Sequence, residues 1–590
     1  MNPSLKAWTR ALESTARIER EPTVTLPCVI DELGARFAEA PALVMREETL
    51  SYRGLAEASR RYARWALAQG FRPGEVVCLL MPNGPQYMAF WLGLSRIGAV
   101  VALLNNHLIG ESLAHSIRIV RPRAIVAGAA LAGALDGVRD RLPEGLRCWT
   151  HGAGPHGLPR LDLELASVRS DPLTALECPL PSLVDRALYI YTSGTTGLPK
   201  AAVVTHLRVM QWSHWFAGMM DTGPSDRMYD CLPMYHSIGG VVATGAVLVC
   251  GGSVVLRERF SASEFWRDIV AERCTLFQYI GELCRYLLAS PPQPEEAHHE
   301  LRLCSGNGLR PEVWERFQAR FRIPQILEYY ASTEGSFSLY NCEGRPGAIG
   351  RIPPFLSHRM PVALVQFDEQ TEMPRRNEDG RCIRCGPDEV GEAISQIHDA
   401  SGKPSSRFDG YADSVASERK VLRDVFADGD AWYRTGDLMR QDAKGFFYFV
   451  DRVGDTFRWK GENVSTSEVA SVIAAFPGVV EAVVYGVAIP GAEGRAGMAA
   501  LVSEPDFDFA ALRTHLASHL ADYARPLFLR LVPRIDATGT FKLQKQELAC
   551  QGFEPASEAD EIYFDDRRQD AYVKLDTAFA ERIRSGQLRL

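Results

Sequence analysis

The chain has 590 residues, too many for a single hydrophobic core, so two or more domains are expected. Hydrophobic residues make up 46% and charged residues 23%, the balance of an ordinary soluble protein, and a net charge of −8 argues against a general nucleic-acid binder. Thirteen cysteines, odd in number and scattered, argue against a disulfide framework and for a reducing compartment. The one C-x-x-C, Cys382 with Cys385, has no second pair at zinc spacing.

No signal peptide and no internal repeat is visible. Near the start, Lys6-Ala-Trp-Thr-Arg10 is basic with one tryptophan. Such a segment lies on a lipid surface or, more often, packs on its own domain. From about residue 24 to 154, amphipathic helices alternate with short apolar strands. The pattern predicts strands at 49–52, 76–80 and 100–103, and helices at 52–70 and 86–97. That punctuation predicts an α/β fold with parallel sheets, and similar units continue to about residue 350. Residues 187–191 and 201–204 read as short buried strands either side of a loop. Run 237–256 carries no charge and approaches the length of a membrane span, but five glycines interrupt it. It reads as a buried helix, a Gly-Gly turn and a strand at 253–256. Between 361 and 391 strands alternate with polar turns. Stretch 399–417 is polar and rich in Gly, Ser and Pro, and reads as an exposed excursion. A fresh α/β unit follows Arg452, with helices at 467–475 and 509–520 and strands at 479–485 and 499–502. The domain boundary therefore falls near 452–455.

The most informative segment is Tyr191-Thr-Ser-Gly-Thr-Thr-Gly-Leu-Pro-Lys200. Thr192, Ser193, Thr195 and Thr196 offer hydroxyls, Gly194 and Gly197 let backbone N–H groups approach an anion, and Lys200 supplies a point charge. That is the equipment for wrapping a polyphosphate. The G-x-x-x-x-G-K-[ST] loop does not fit, because Pro199 and Ala201 stand at its second glycine and its hydroxyl.

Glu328-Tyr-Tyr-Ala-Ser-Thr-Glu-Gly335 follows a short apolar stretch and so sits at a strand end, where open α/β sheets bind ligands. Thr333 and Glu334 offer oxygen ligands of the kind Mg²⁺ takes with ATP, and Tyr330 offers a flat face for a base. Just upstream, the glycines of Ser305-Gly-Asn-Gly-Leu-Arg310 either let backbone atoms at Gly306 and Asn307 face a ring or simply make a tight turn. Farther on, Trp432-Tyr-Arg-Thr-Gly-Asp-Leu438 and Asp451-Arg-Val-Gly-Asp455 bring a carboxylate, Asp437, and an arginine, Arg452. Such a pair suits the vicinal hydroxyls of a ribose and a nearby phosphate.

These strings, in this order, resemble the signatures of adenylate-forming enzymes: acyl-CoA synthetases, luciferases and peptide-synthetase adenylation domains. The chain departs from the common pattern at Ala331 and Phe541, where most members carry glycine. The resemblance assigns the ribose to Asp437 and the nucleotide border to Gly306 and Asn307. It makes Lys542, in Thr538-Gly-Thr-Phe-Lys-Leu-Gln-Lys545, the catalytic lysine in preference to Lys545. The resemblance also implies that His236, in Leu232-Pro-Met-Tyr-His-Ser-Ile-Gly-Gly240, borders the acyl carboxylate. It implies too that Lys460 and Gly461, in Phe457-Arg-Trp-Lys-Gly-Glu-Asn-Val464, face the site during thioester formation, with Gly454 at the family's pivot position.

Within that superfamily the chain most resembles the fatty acid transport proteins, or very-long-chain acyl-CoA synthetases. The strings that carry this include Gln278-Tyr-Ile-Gly-Glu-Leu-Cys-Arg-Tyr-Leu287, Gly454-Asp-Thr-Phe-Arg-Trp-Lys-Gly-Glu-Asn463, Gly539-Thr-Phe-Lys542 and Gly552-Phe-Glu-Pro555. The resemblance implies a large N-terminal adenylation domain over 1–451, with two parallel-type sheets and a small β-barrel. A small mobile α+β domain over 452–590 follows. It also implies ATP, Mg²⁺ held by Glu334, CoA as co-substrate and a fatty acid as substrate. Many vertebrate relatives begin with a membrane span and this chain does not, so it looks like the soluble or peripheral type. A cytoplasmic location, contact with the inner face of the plasma membrane and a homodimer are all compatible with the resemblance. Two other functions share part of the pattern. One is a CoA ligase or carrier-protein loader for a bile or aryl acid. The other is a lipid-uptake protein without turnover.

Overall fold

The computed structural model describes residues 3–46, 48–154, 157–192, 198–335, 337–368, 371–397, 408–453, 455–459, 462–490, 494–535, 545–554, 561–585 and 587. The chain divides into two compact units. One comprises 1–361, 395–423 and 429–433; the other comprises 362–394, 424–428 and 434–590.

The first unit is built on two large sheets, and apolar runs make them. A six-stranded sheet runs in the order Arg147–His151, Ala124–Gly128, Val76–Leu80, Val100–Leu103, Arg186–Thr192, Lys200–Thr205. Its first five strands are parallel and the last turns back antiparallel. Strands such as Val76–Leu80 are buried on both faces, which is why they read as unbroken apolar runs rather than alternating ones. An eight-stranded sheet runs Ser338–Asn341, Ile326–Ala331, Leu303–Asn307, Leu276–Ile280, Arg227–Asp230, Ser253–Leu256, Pro41–Val44, Thr49–Ser51. Its six inner strands are parallel and only the two edges are antiparallel. The expectation of parallel sheets thus holds for every interior strand of the larger sheet.

Helices cover these sheets where the 3.6-residue spacing places them. Helix Tyr52–Ala68 is capped by Ser51, whose Oγ accepts from the Gly54 N–H, and buries Leu55, Ser59, Tyr62 and Ala66 along one stripe. The basic N-terminal segment is helix Pro3–Arg20, packed on helix His206–Met220. Trp8 is buried, with its ring edge-on to Trp215 and Tyr340, so this tryptophan serves the core rather than a lipid surface. The uncharged run after His236 is π-helix Ile238–Ala243, then helix Thr244–Leu248 and strand Ser253–Leu256. Among the described residues, no helix is long and apolar enough to cross a membrane.

Besides the two-stranded antiparallel pair Phe457–Trp459 and Glu462–Val464, the second unit carries two larger sheets among its described residues. One is ordered Met373–Pro374, Val362–Asp368, Val390–Gln396, Ala431–Gln441, with Phe447–Arg452 antiparallel to Ala431–Gln441. The other runs Val479–Ala488, Arg495–Ser503, Phe528–Leu531, Glu561–Asp566, Ala571–Lys574. Helices Thr466–Ala474, Phe509–His519 and Thr577–Arg584 cover it, over a separate core that includes Ile473, Leu501, Leu512, Phe528 and Ile562.

Candidate active site

In the first unit, strands Arg186–Thr192 and Lys200–Thr205 form an antiparallel hairpin that sets Thr192 opposite Lys200. The glycine-hydroxyl loop is therefore pinned at both ends by ladder pairing, rather than feeding a helix. Its middle, Ser193, Gly194, Thr195, Thr196 and Gly197, lies outside the described residues. So do Gly454, the expected pivot, and Lys460, Gly461 and Lys542.

The two ends of that loop and the Thr-Glu motif meet at Tyr411. The Tyr411 hydroxyl donates to Glu334 Oε1 at 2.7 Å. The Thr192 side chain hydrogen-bonds the same phenol, and Lys200 Nζ lies 5.8 Å from the centre of its ring. Tyr433 donates to the same carboxylate oxygen at 3.2 Å and exchanges a hydrogen bond with Ser332 at 3.1 Å. Burial, then the Glu334 charge, push both phenols above their ordinary pKa, so both stay protonated and keep donating. Gly335 packs directly on the Tyr433 ring: a Cβ there would meet a ring carbon at 2.3 Å.

Tyr411 overturns one sequence expectation. Stretch 399–417 reads as an exposed excursion, yet its described part, 408–417, lies against the hairpin. Gly410 O accepts from Val203 N–H at 2.9 Å, the Ala412 N–H donates to Ala201 O at 2.8 Å, and Tyr411 is 7% exposed. One aromatic anchor and two backbone hydrogen bonds outweigh the polar composition.

Arg208 fixes the motif loop from below. It is buried on helix His206–Met220, and its Nη1 donates to the carbonyls of Thr333 at 3.1 Å and Gly335 at 2.7 Å. Asp409 Oδ2 stands 3.7 Å from its Nε. Desolvation lowers the Arg208 pKa and the Asp409 charge opposes this. Thr333 Oγ1 and Ser237 Oγ are 3.1 Å apart, which brings the His236 segment to the Thr333 loop. The His236 ring packs on Tyr235, and its Nε2 is buried with no hydrogen-bond partner among the described residues. Burial pushes its pKa down to about 4, so the imidazole is neutral. Tyr330 meets Phe337 edge-on at 5.4 Å.

The Ser305–Arg310 loop is braced from the neighbouring strand. Gly306 lies in strand Leu303–Asn307 and packs so close to Tyr279 that a Cβ would lie 2.3 Å from its carbonyl oxygen, so close packing rather than a turn accounts for this glycine; the turn follows at Gly308, at φ +77°. Glu328 accepts from the Tyr279 hydroxyl at 2.6 Å and the Leu309 N–H at 3.0 Å. Burial pushes its pKa up to about 8 from 4.5. Between those two values the folded chain holds a proton that the unfolded chain has lost, so this group's contribution to stability falls as pH rises through that window. Glu328→Gln cannot ionise. Its thermal midpoint should therefore gain on the parent's between pH 5 and pH 8, and a difference that stays constant with pH would contradict the assignment.

In the second unit, Asp437 and Arg452 are register partners on adjacent strands, with Asp437 Oδ1 3.5 Å from Arg452 Nε. Thr435 Oγ1 accepts from the Asp437 N–H at 3.0 Å and donates to Ala393 O at 2.7 Å. Fully buried Glu392 pairs with Arg434 at 2.7 Å. Asp451, beside Arg452, is buried and accepts from the Thr466 N–H at 2.7 Å at the start of helix Thr466–Ala474. Lys545 Nζ is committed to Asp455 at 3.1 Å and Thr466 Oγ1 at 2.9 Å. That is a structural anchoring of Lys545.

Comparison with known proteins gives the class of this fold, a nucleotide-binding enzyme. The AMP-binding enzyme family matches residues 30–384, and the AMP-binding enzyme C-terminal domain matches residues 468–542. The chain belongs to the AMP-binding enzymes, in the branch of the long-chain fatty acid transport proteins. It is 42% identical to long-chain fatty acid transport protein 1 of Mus musculus over 574 residues, 96% of this chain and 88% of that one. Among solved structures, an anthranilate CoA ligase in complex with anthranoyl-AMP aligns with TM-score 0.76 at 20% identity. It covers 90% of this chain and 97% of that one. ATP-bound MatB of Rhodopseudomonas palustris aligns with TM-score 0.74 at 23% identity, over 90% and 99%. At that identity the two structures establish the fold.

Proposed function

We propose that the chain is an ATP-dependent acid–CoA ligase that joins a long- or very-long-chain fatty acid to CoA through an acyl-adenylate, releasing AMP and pyrophosphate. The observation that carries this reading is the convergence of Thr192, Lys200 and Glu334 on Tyr411 in a member of the AMP-binding family.

In this reading the acid's carboxylate oxygen attacks the α-phosphorus of ATP and pyrophosphate leaves. The CoA thiol then attacks the acyl carbon, and AMP leaves with the oxygen it gained. Thr192, Ser193, Gly194, Thr195, Thr196, Gly197 and Lys200 hold the β- and γ-phosphates. Tyr330 stacks the adenine beside Gly306 and Asn307, and Asp437 with Arg452 holds the ribose. Neutral His236 borders the acyl carboxylate. Lys542 offsets the repulsion between carboxylate and phosphate. Residues 1–451 act as the adenylation part, and 452–590 turn about Gly454 so that Lys460 and Gly461 serve the thioester step. The donors fit Mg²⁺: both phenols bond one oxygen of Glu334, and with the Thr333 hydroxyl the set is all hard oxygen. Bound there, Mg²⁺ would supply neutralisation of phosphate charge.

The test is ATP- and CoA-dependent AMP release across acids from acetate to very long chains, with cholate and benzoate included. The reading expects the highest kcat/KM among long-chain acids. Preference for benzoate or cholate would move the chain to another acid class, and AMP from no acid would leave a lipid-binding protein without turnover.

A further inference from the structure

Three polar side chains lie side by side inside the larger sheet of the first unit. Parallel register sets Gln278 opposite Ser305. Tyr229 pairs with Phe277, so Asp230, one residue on, stands beside Gln278. Such neighbours in a parallel sheet share a face. The same face carries Met228, Leu276, Leu303 and Leu327 in the main apolar core. Phe216 of helix His206–Met220 covers it, packed on Tyr329 at 4.7 Å.

Asp230, Gln278 and Ser305 are each 0% exposed. Asp230 Oδ1 accepts from the Leu232 N–H at 3.0 Å, and Gln278 Nε2 donates to the Tyr329 hydroxyl at 3.2 Å. Yet Asp230 Oδ2, Gln278 Oε1 and Ser305 Oγ have no hydrogen-bond partner among the described residues. Buried polar atoms are almost always paired, so three neighbouring ones with no partner among the described residues are open to a donor or acceptor that enters the site. Their chemistry specifies that partner. Burial raises the Asp230 pKa well above the carboxylate range, so Asp230 carries a proton and donates. Gln278 Oε1 only accepts, and Ser305 does either. A hydroxyl group, which both donates and accepts, satisfies such a row; a methylene chain satisfies none of it.

The same strands lead from this row to the candidate active site. Ser305 is followed by Gly306 and Asn307, about 7 Å along the strand. Asp230 leads through Leu232 to His236, and Tyr329 leads to Tyr330 and Thr333. Ligands of open α/β sheets enter at these carboxyl ends. We propose that Asp230, Gln278 and Ser305 form the specificity end of the acyl site, and that the preferred acid carries a hydroxyl on its carbon skeleton rather than being a plain hydrocarbon chain. This inference rests on the ligase reading above.

The test compares kcat/KM for AMP release with stearate and a series of mid-chain hydroxystearates, for the parent, Gln278→Leu and Ser305→Ala. The parent should prefer at least one hydroxylated isomer by about tenfold or more, the scale for leaving one buried polar group unpaired. Each variant should shrink that ratio, chiefly by improving the plain acid. ATP-induced thermal stabilisation checks folding, and Ser305→Ala, the smaller change, carries the test should Gln278→Leu not fold. Equal use of plain and hydroxylated acids, or ratios that the variants leave unchanged, as when trapped water satisfies the row, would overturn this inference and leave the ligase reading standing. No AMP from any acid would overturn both.

Discussion

Lys542→Ala should slow acyl-adenylate formation about 10²–10³-fold, the scale for losing one preorganised charge contact to a transition state. Two anions, a carboxylate and a triphosphate, must approach in that step, and a cation between them is worth most where water is excluded. The thioester step brings a thiol to an acyl carbon and makes no such demand on this residue. The same variant, supplied with preformed acyl-adenylate and CoA, should therefore form acyl-CoA at close to the parent rate. Single-turnover measurements separate the two halves. Equal losses in both would assign Lys542 a structural role, and a full effect from Lys545→Ala instead would contradict the choice between the two lysines. Lys545 is already held by Asp455 and Thr466, so its removal should act mainly on stability.

Glu334→Gln should cost a comparable 10²–10³-fold in kcat while leaving the fold intact. Glutamine keeps an acceptor oxygen for the Tyr411 and Tyr433 hydroxyls, so the bonds that tie this residue to both phenols survive. What disappears is the negative charge, and with it the hard anionic ligand proposed for a metal on the triphosphate. Tyr411→Phe makes the opposite cut: the carboxylate stays, but it loses one donor and the tie to Thr192. That variant should lose about 1–3 kcal/mol of stability, the cost of unmaking a buried hydrogen bond to a charged group, with a smaller loss in rate. Glutamine at 334 with an unchanged kcat and an unchanged Mg²⁺ requirement would contradict the role given to Glu334.

The parts legible in the sequence are those governed by local pattern. Strands Val76–Leu80, Val100–Leu103 and Ser253–Leu256 fall where unbroken apolar runs end in glycine or polar residues. The Asp437–Arg452 pair was legible because both lie in short motifs, and strand register then sets them face to face. Tyr411, Tyr433 and Arg208 were not legible as site residues. Each acts across a long stretch of chain: Tyr411 reaches Glu334 over 77 residues and Arg208 reaches Gly335 over 127. A tyrosine in a polar run and an arginine on an apolar helix carry only a faint signal, that of a charged or aromatic residue out of keeping with its neighbours. The Asp230–Gln278–Ser305 row was invisible for the same reason: its members come from three strands that only the parallel register aligns.

In the proposed reaction the acid's own oxygen bonds to the α-phosphorus of ATP. Palmitate labelled with ¹⁸O in its carboxylate, incubated with the enzyme, ATP and CoA, tests it in one measurement. The AMP released should carry one ¹⁸O on its phosphate, with none in pyrophosphate. Label in inorganic phosphate beside ADP, or unlabelled AMP, would rule out an acyl-adenylate intermediate.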